Sequence, residues 1–120
     1  MGLSQANRLK HRHDFALVYA RGSRHYSRHL ILRALYFKPS LSDLPTRIGI
    51  VISKKVSKKA VVRNKLKRRI RAIVRPCLKN LEVNWQIVII VQPQAIECKY
   101  EHFLRELKEL FQQVELINGH

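Results

Sequence analysis

Acid is scarce in this chain. Eight Asp and Glu stand against 24 Lys and Arg in 120 residues, a formal net charge of +16. Only Asp14 and Asp43 are acidic within residues 1–80, a stretch that holds 21 of the Lys and Arg. A surface so short of carboxylates repels itself, and that cost is offset against a polyanion. Residues 81–120 reverse the balance, with six Glu against Lys99, Arg105 and Lys108, so the cationic surface is oriented rather than general. Cysteine is scarce as well. Cys77 and Cys98 make no framework, and a disulfide is not expected. The six histidines include no His-Glu-x-x-His, and no Cys-x-x-Cys is present, so no protein metal site is expected. The longest apolar run, residues 87–91, is far short of the roughly 20 residues a spanning helix needs. The N-terminus has no apolar signal core. A cytoplasmic protein without a membrane partner is the expectation. Repeats and low-complexity tracts are missing, and 46% hydrophobic residues are enough for one core in a single domain, 1–120.

What is abundant is concentrated. Residues 54–75 read KKVSKKAVVRNKLKRRIRAIVR, eleven of them basic and none acidic. The segment has helical periodicity. With Val62 at zero and about 100° per residue, Leu66, Ile70, Ile73 and Cys77 share one face. Asn64, Arg68, Arg71 and Arg75 take the opposite face, with Arg63 and Lys67 on the flank. Ser57 is the expected N-cap, and Pro76 should end or kink the helix. A rigid cationic face of this density points to nucleic acid.

Residues 1–10 are expected to be a mobile arm, and 11–20 a short helix stopped at Gly22. Residues 29–37, 47–53 and 86–91 read as strands, and 23–28 as a short edge strand. The loop-like stretch 40–45 joins two of them. A last helix, 99–117, should bury Phe103, Leu104, Leu107, Leu110, Phe111 and Val114 and leave its Glu-rich face to solvent. The order is α-β-β-(β)-α-β-α. The fold class is therefore α+β, an α/β sandwich with a mixed sheet of about four strands and helices packed on it.

Residues 56–71 read VSKKAVVRNKLKRRIR. With Arg63-Asn64, Lys67-Arg68 and Arg71 on a helix that follows a strand ending in Ser53-Lys54-Lys55, the chain resembles the bacterial ribonuclease P protein subunit family. The resemblance extends over Arg8-Leu9-Lys10, Asp14-Phe15, Val18-Tyr19 and Gly22, and over Ile87-Val88-Ile89-Ile90-Val91-Gln92-Pro93. It covers most of the chain. Departures are Ser57-Lys58-Lys59 where the family commonly has a small residue or Gly-Asn, Gln92 where a basic residue is frequent, and Tyr19 where Phe is frequent.

The resemblance implies a ribosomal-protein domain-like fold with a left-handed βαβ crossover, against the general right-handed rule. It implies an accessory subunit of an endoribonuclease, with no catalytic residue in the protein. The catalytic RNA subunit would remove the 5′ leader of precursor tRNA and would hold the Mg²⁺. The implied partners are ribonuclease P RNA and precursor tRNA, with no obligate protein partner. Lys59, Arg63, Asn64, Lys67, Arg68, Arg71 and Arg75 would bind the catalytic RNA. Arginine offers phosphate a planar fork and lysine a point charge. Phe15 and Tyr19, spaced i, i+4 on one helix face, would stack leader bases, with Tyr36 a further candidate and Lys54 and Lys55 on leader phosphates. The histidines near RNA would be partly protonated. Competing readings are another structured-RNA binder such as a ribosomal or assembly protein, a DNA-binding regulator, and a protein-only ribonuclease. The regulator would need a helix before the basic helix, where a strand stands. The ribonuclease would need a His/Lys pair that no spacing singles out.

Overall fold

A computed structural model describes residues 4–37, 42–97 and 100–118. Four strands form one mixed sheet: β1 (Ser23–Tyr26), β2 (Leu30–Tyr36), β3 (Arg47–Ile52) and β4 (Trp85–Val91), in the spatial order β1-β2-β4-β3. The β1–β2 and β2–β4 pairs are antiparallel, and β3–β4 is parallel. Three helices pack on the sheet: α1 (Arg12–Arg21), α2 (Ala60–Cys77) and α3 (Tyr100–Asn118). The α+β arrangement expected from the sequence is present. β3, α2 and β4 make the βαβ unit, with the two strands adjacent. β4 is central and nearly continuously apolar because it is covered on both faces.

The two faces carry different cores. Leu30, Leu32, Ala34, Ile48, Ile50, Ile52, Trp85, Ile87, Ile89 and Val91 point to one side, where they meet α2 and α3. Leu66, Ile70, Ile73 and Val74 of α2 are buried there, as the helical periodicity requires. Phe103, Leu107, Leu110, Phe111 and Val114 of α3 complete this core, with Leu104 partly buried. The other side is thinner. Leu9, Val18 and Val88 are its buried centre, with Phe15, Leu35, Val51 and Ile90 packed around them.

Several local expectations are corrected. The described part of the supposed mobile arm is docked. Leu9 N–H donates to the Ile48 carbonyl at 2.9 Å, and Leu9 is buried. Asn7 Nδ2 donates to the Thr46 carbonyl at 2.7 Å. This shields the outer edge of β3 with paired backbone. Ser57 does not cap α2. Its hydroxyl accepts from Lys59 N–H (3.2 Å), an i, i+2 turn that places the first helical residue at Ala60. Pro76 lies inside the last turn of α2, and the helix tightens into a 3-10 turn, Leu78–Asn80. Gly22 does stop α1, but in extended conformation rather than left-handed. A Cβ there would meet the Val18 carbonyl oxygen at 2.6 Å and that of Ala34 at 3.1 Å, so the close approach of the α1 backbone first, and of β2 second, is what requires glycine. Residues 40 and 41 of the predicted joining loop lie outside the described residues, as do Cys98 and His120. Cys77 is a half-buried free thiol.

Candidate nucleic-acid interface

On the α2 side the cationic face is as the periodicity predicts. Asn64, Arg68 and Arg75 are exposed, and Arg63, Lys67 and Arg71 are half-buried along the flank. No acidic residue interrupts the helix. Lys59 is the exposed N-cap residue. Arg63 is partly committed within the chain, since its Nη1 donates to the Ser57 carbonyl at 2.8 Å. That contact holds the turn 57–59 against the helix. Arg71 approaches Arg8, which bridges to β3. Partial burial first, and the Arg8 charge second, pull the Arg71 guanidinium below its ordinary value. Two like charges so placed favour an anion, which relieves their repulsion. Through Arg8 the cationic surface therefore passes from α2 around the β3 edge toward α1.

On the α1 side the sheet is only partly roofed. Phe15 lies on Gly49: a Cβ at Gly49 would come within 2.5 Å of the Phe15 ring. The glycine leaves a seat in β3 that the aromatic fills, while Phe15 stays only half-buried. Tyr19, one turn on, is 38% exposed. The Arg33 guanidinium from β2 sits 5.8 Å from the Tyr19 ring centroid, within cation–π range. Arg33 Nη2 donates to the Gly22 carbonyl at 3.2 Å, which ties β2 to the end of α1. Partial burial raises the Tyr19 phenol and Arg33 opposes that rise, so the ring remains a neutral stacking surface at pH 7. Arg33 is itself only 8% exposed, and its Nε is buried without a hydrogen-bond partner.

Beside these rings the strands present a half-exposed apolar row. Ile31, Ile90 and Val51 are in direct register across β2, β4 and β3, on the face that α1 partly covers. The floor thus lies next to Phe15 and Tyr19 and ends at the β3 terminus. Lys54 and Lys55 are exposed in the turn that follows β3, where Val56 N–H returns to the Ser53 carbonyl at 3.0 Å. The result is an open cleft: rings on the wall, aliphatics on the floor and lysines at one end.

Tyr36 is not part of it. Its side chain alternates with Leu35 and shares parity with Leu30, Leu32 and Ala34, so it lies on the α2/α3 side. There it packs edge-on against Trp85 at 5.2 Å between ring centroids. The expectation that Tyr36 lines the same groove as Phe15 and Tyr19 is thereby corrected. Two of the histidines are held within the fold. His25 is buried between Ser23 Oγ (2.9 Å) and Gln113 Oε1 (3.1 Å). His29 Nδ1 lies 2.6 Å from Glu106 Oε2. Both are structural links to neighbouring elements. Sequence reasoning missed Gly49, Arg33 and Arg8, whose placement depends on contacts across elements. The one signal for Gly49 was a glycine inside an otherwise β-branched strand.

Comparison with known proteins agrees with this geometry. Residues 3–115 match the family model described as Ribonuclease P. The ribonuclease P protein component of Microcystis aeruginosa is 54% identical over the full length of both chains. That of Rippkaea orientalis is 50% identical, covering 100% of this chain and 95% of the relative. Among solved structures, the Staphylococcus aureus RNase P protein superposes with a TM-score of 0.79 at 25% identity, covering 92% of this chain and 97% of that one. The Thermotoga maritima RNase P protein gives 0.73 at 26% identity, covering 88% and 96%. The chain belongs to the ribonuclease P protein family, the accessory protein component of that tRNA-processing endoribonuclease.

Proposed function

We propose that this protein makes two separate RNA contacts within the ribonuclease P ribonucleoprotein. The α2 face (Lys59, Arg63, Asn64, Lys67, Arg68, Arg71 and Arg75) docks on the catalytic RNA. The α1 cleft holds the single-stranded 5′ leader, with bases against Phe15 and Tyr19 and phosphates near Lys54 and Lys55. The observation that carries this reading is the incompletely roofed apolar row beside two aromatic rings. A core would have closed over it, and a purely duplex-binding surface has no use for it. Stacking tolerates any base, which suits a leader whose sequence varies among tRNAs. The protein performs no bond cleavage in this reading. Mg²⁺ is held by RNA phosphates, and the protein's cations reduce the repulsion that the ion would otherwise have to screen. The whole works as one RNA-binding domain in the cytoplasm.

Replacing Arg68 or Arg71 with Ala is expected to weaken binding to ribonuclease P RNA. Replacing Phe15 or Tyr19 with Ala is expected to weaken precursor tRNA binding by the holoenzyme about 5-fold or more and to leave mature tRNA binding unchanged. Filter binding with both tRNAs checks it. Equal effects of both kinds of variant on both tRNAs would show that the division into docking helix and leader cleft is wrong.

A further inference from the structure

The half-exposed row does not stop at β2. Tyr26 on β1 is in direct register with Ile31, so Tyr26, Ile31, Ile90 and Val51 form one line across all four strands. Opposed residues share a sheet face, which places Tyr26 on the cleft side, at the edge farthest from β3. Its ring is 57% exposed. Arg24, two residues earlier and therefore on the same face, is also exposed, and its Nη1 donates to the Tyr26 hydroxyl at 3.4 Å. No acidic residue occurs in the sequence between Asp14 and Asp43, so β1 itself carries only basic charge, while the acidic α3 packs on the opposite face of the sheet. An open ring beside a guanidinium, at the end of an apolar floor, matches what single-stranded RNA uses: a face for a base and a fork for a phosphate. An apolar protein partner would find less here, because the ring stands beside Arg24 rather than in a wide apolar patch.

We propose that Tyr26 and Arg24 form an outer station for the 5′ leader, beyond the one at Phe15 and Tyr19. The inference rests on the leader-cleft reading. The concentrated charge of α2, Arg8 and the Lys54-Lys55 turn lies toward the β3 edge, so the leader enters there and β1 is the far end. Only leaders long enough to cross the sheet reach Tyr26.

The test uses reconstituted holoenzyme and precursor tRNAs with leaders of graded length, alongside mature tRNA. Tyr26→Thr removes the ring and keeps a residue that favours the strand, and Tyr26→Phe keeps the ring. The expected result is about 5-fold or greater weakening by Tyr26→Thr for long leaders only, with Tyr26→Phe near wild type. Phe15→Ala is the control and should weaken short and long leaders alike. If Tyr26→Thr binds every leader as wild type does while Phe15→Ala still discriminates, the outer station is refuted and the cleft stands. If Phe15→Ala is also inert, the cleft reading itself fails. A loss that extends equally to mature tRNA would assign Tyr26 to a different RNA or a protein contact and overturn the proposal.

Discussion

Gly49 sets the shape of the cleft by having no side chain. Any larger residue collides with the Phe15 ring, the nearest ring carbons lying 2.5 Å from where its Cβ would be. Gly49→Ala is therefore expected to push Phe15 outward and to cost about 1–3 kcal/mol of stability, the usual range for overpacking. Urea denaturation measures the first effect. Weaker precursor binding, with catalytic-RNA binding unchanged, reports the second. Wild-type values for both would show that the ring has another place to go. At this scale the sequence was legible where local spacing decides. The i, i+4 pair Phe15 and Tyr19 does share the sheet-facing side of α1. Tyr36 was misassigned because alternation tells which residues share a face, but not which face a distant helix will cover. Arg33 was silent for the same reason: its partners, Gly22 and Tyr19, belong to another element.

The third helix is held by more than apolar contact. Glu106, only 4% exposed, accepts from the Ser27 hydroxyl at 2.5 Å and the His29 backbone N–H at 2.9 Å, and pairs with His29 Nδ1 at 2.6 Å. Burial alone would raise this carboxyl. The Ser27 and His29 hydrogen bonds and the His29 charge outweigh it and hold the group below the ordinary carboxylate value. A depressed folded-state value means the stabilisation is present above the unfolded value, about 4.3, and is lost as pH falls through the folded one. Glu106→Gln should therefore cost about 1–3 kcal/mol near neutral pH, with the gap to wild type closing in acid below about pH 4. Thermal melts across pH check this, and a gap that stays constant into acid would count against the clasp. The clasp contradicts the expectation that the Glu-rich face of α3 is merely solvated. Helical periodicity sorted the apolar residues of α2 and α3 correctly, because burial of one stripe leaves a strong repeat. It could not reveal a polar residue buried by partners more than 70 positions earlier. The N-terminal arm was misread for a related reason: a lone Leu9 carries no periodicity, and what fixes it is the exposed edge of β3.

The molecule as a whole is electrically one-sided. The acid-free helix and the aromatic cleft lie on opposite faces of one small sheet, and Arg8 and Arg71 meet around its β3 edge. The acidic residues are gathered mainly in the last third, on and near α3. A polyanion is thereby directed to one side, and a single-stranded extension of it can be led into the cleft. This polarity was plain in the sequence. The strand order and the facing of the two surfaces were not, since they follow from pairings such as β2 with β4 that span the whole chain. In this reading the protein assists an RNA catalyst without doing chemistry itself. The most direct measurement is precursor tRNA cleavage at low Mg²⁺, by the protein alone, by ribonuclease P RNA alone and by both together. Cleavage at the mature 5′ end only when both are present is the predicted result. Cleavage by the protein alone, or no stimulation of the RNA by the protein, would contradict the account.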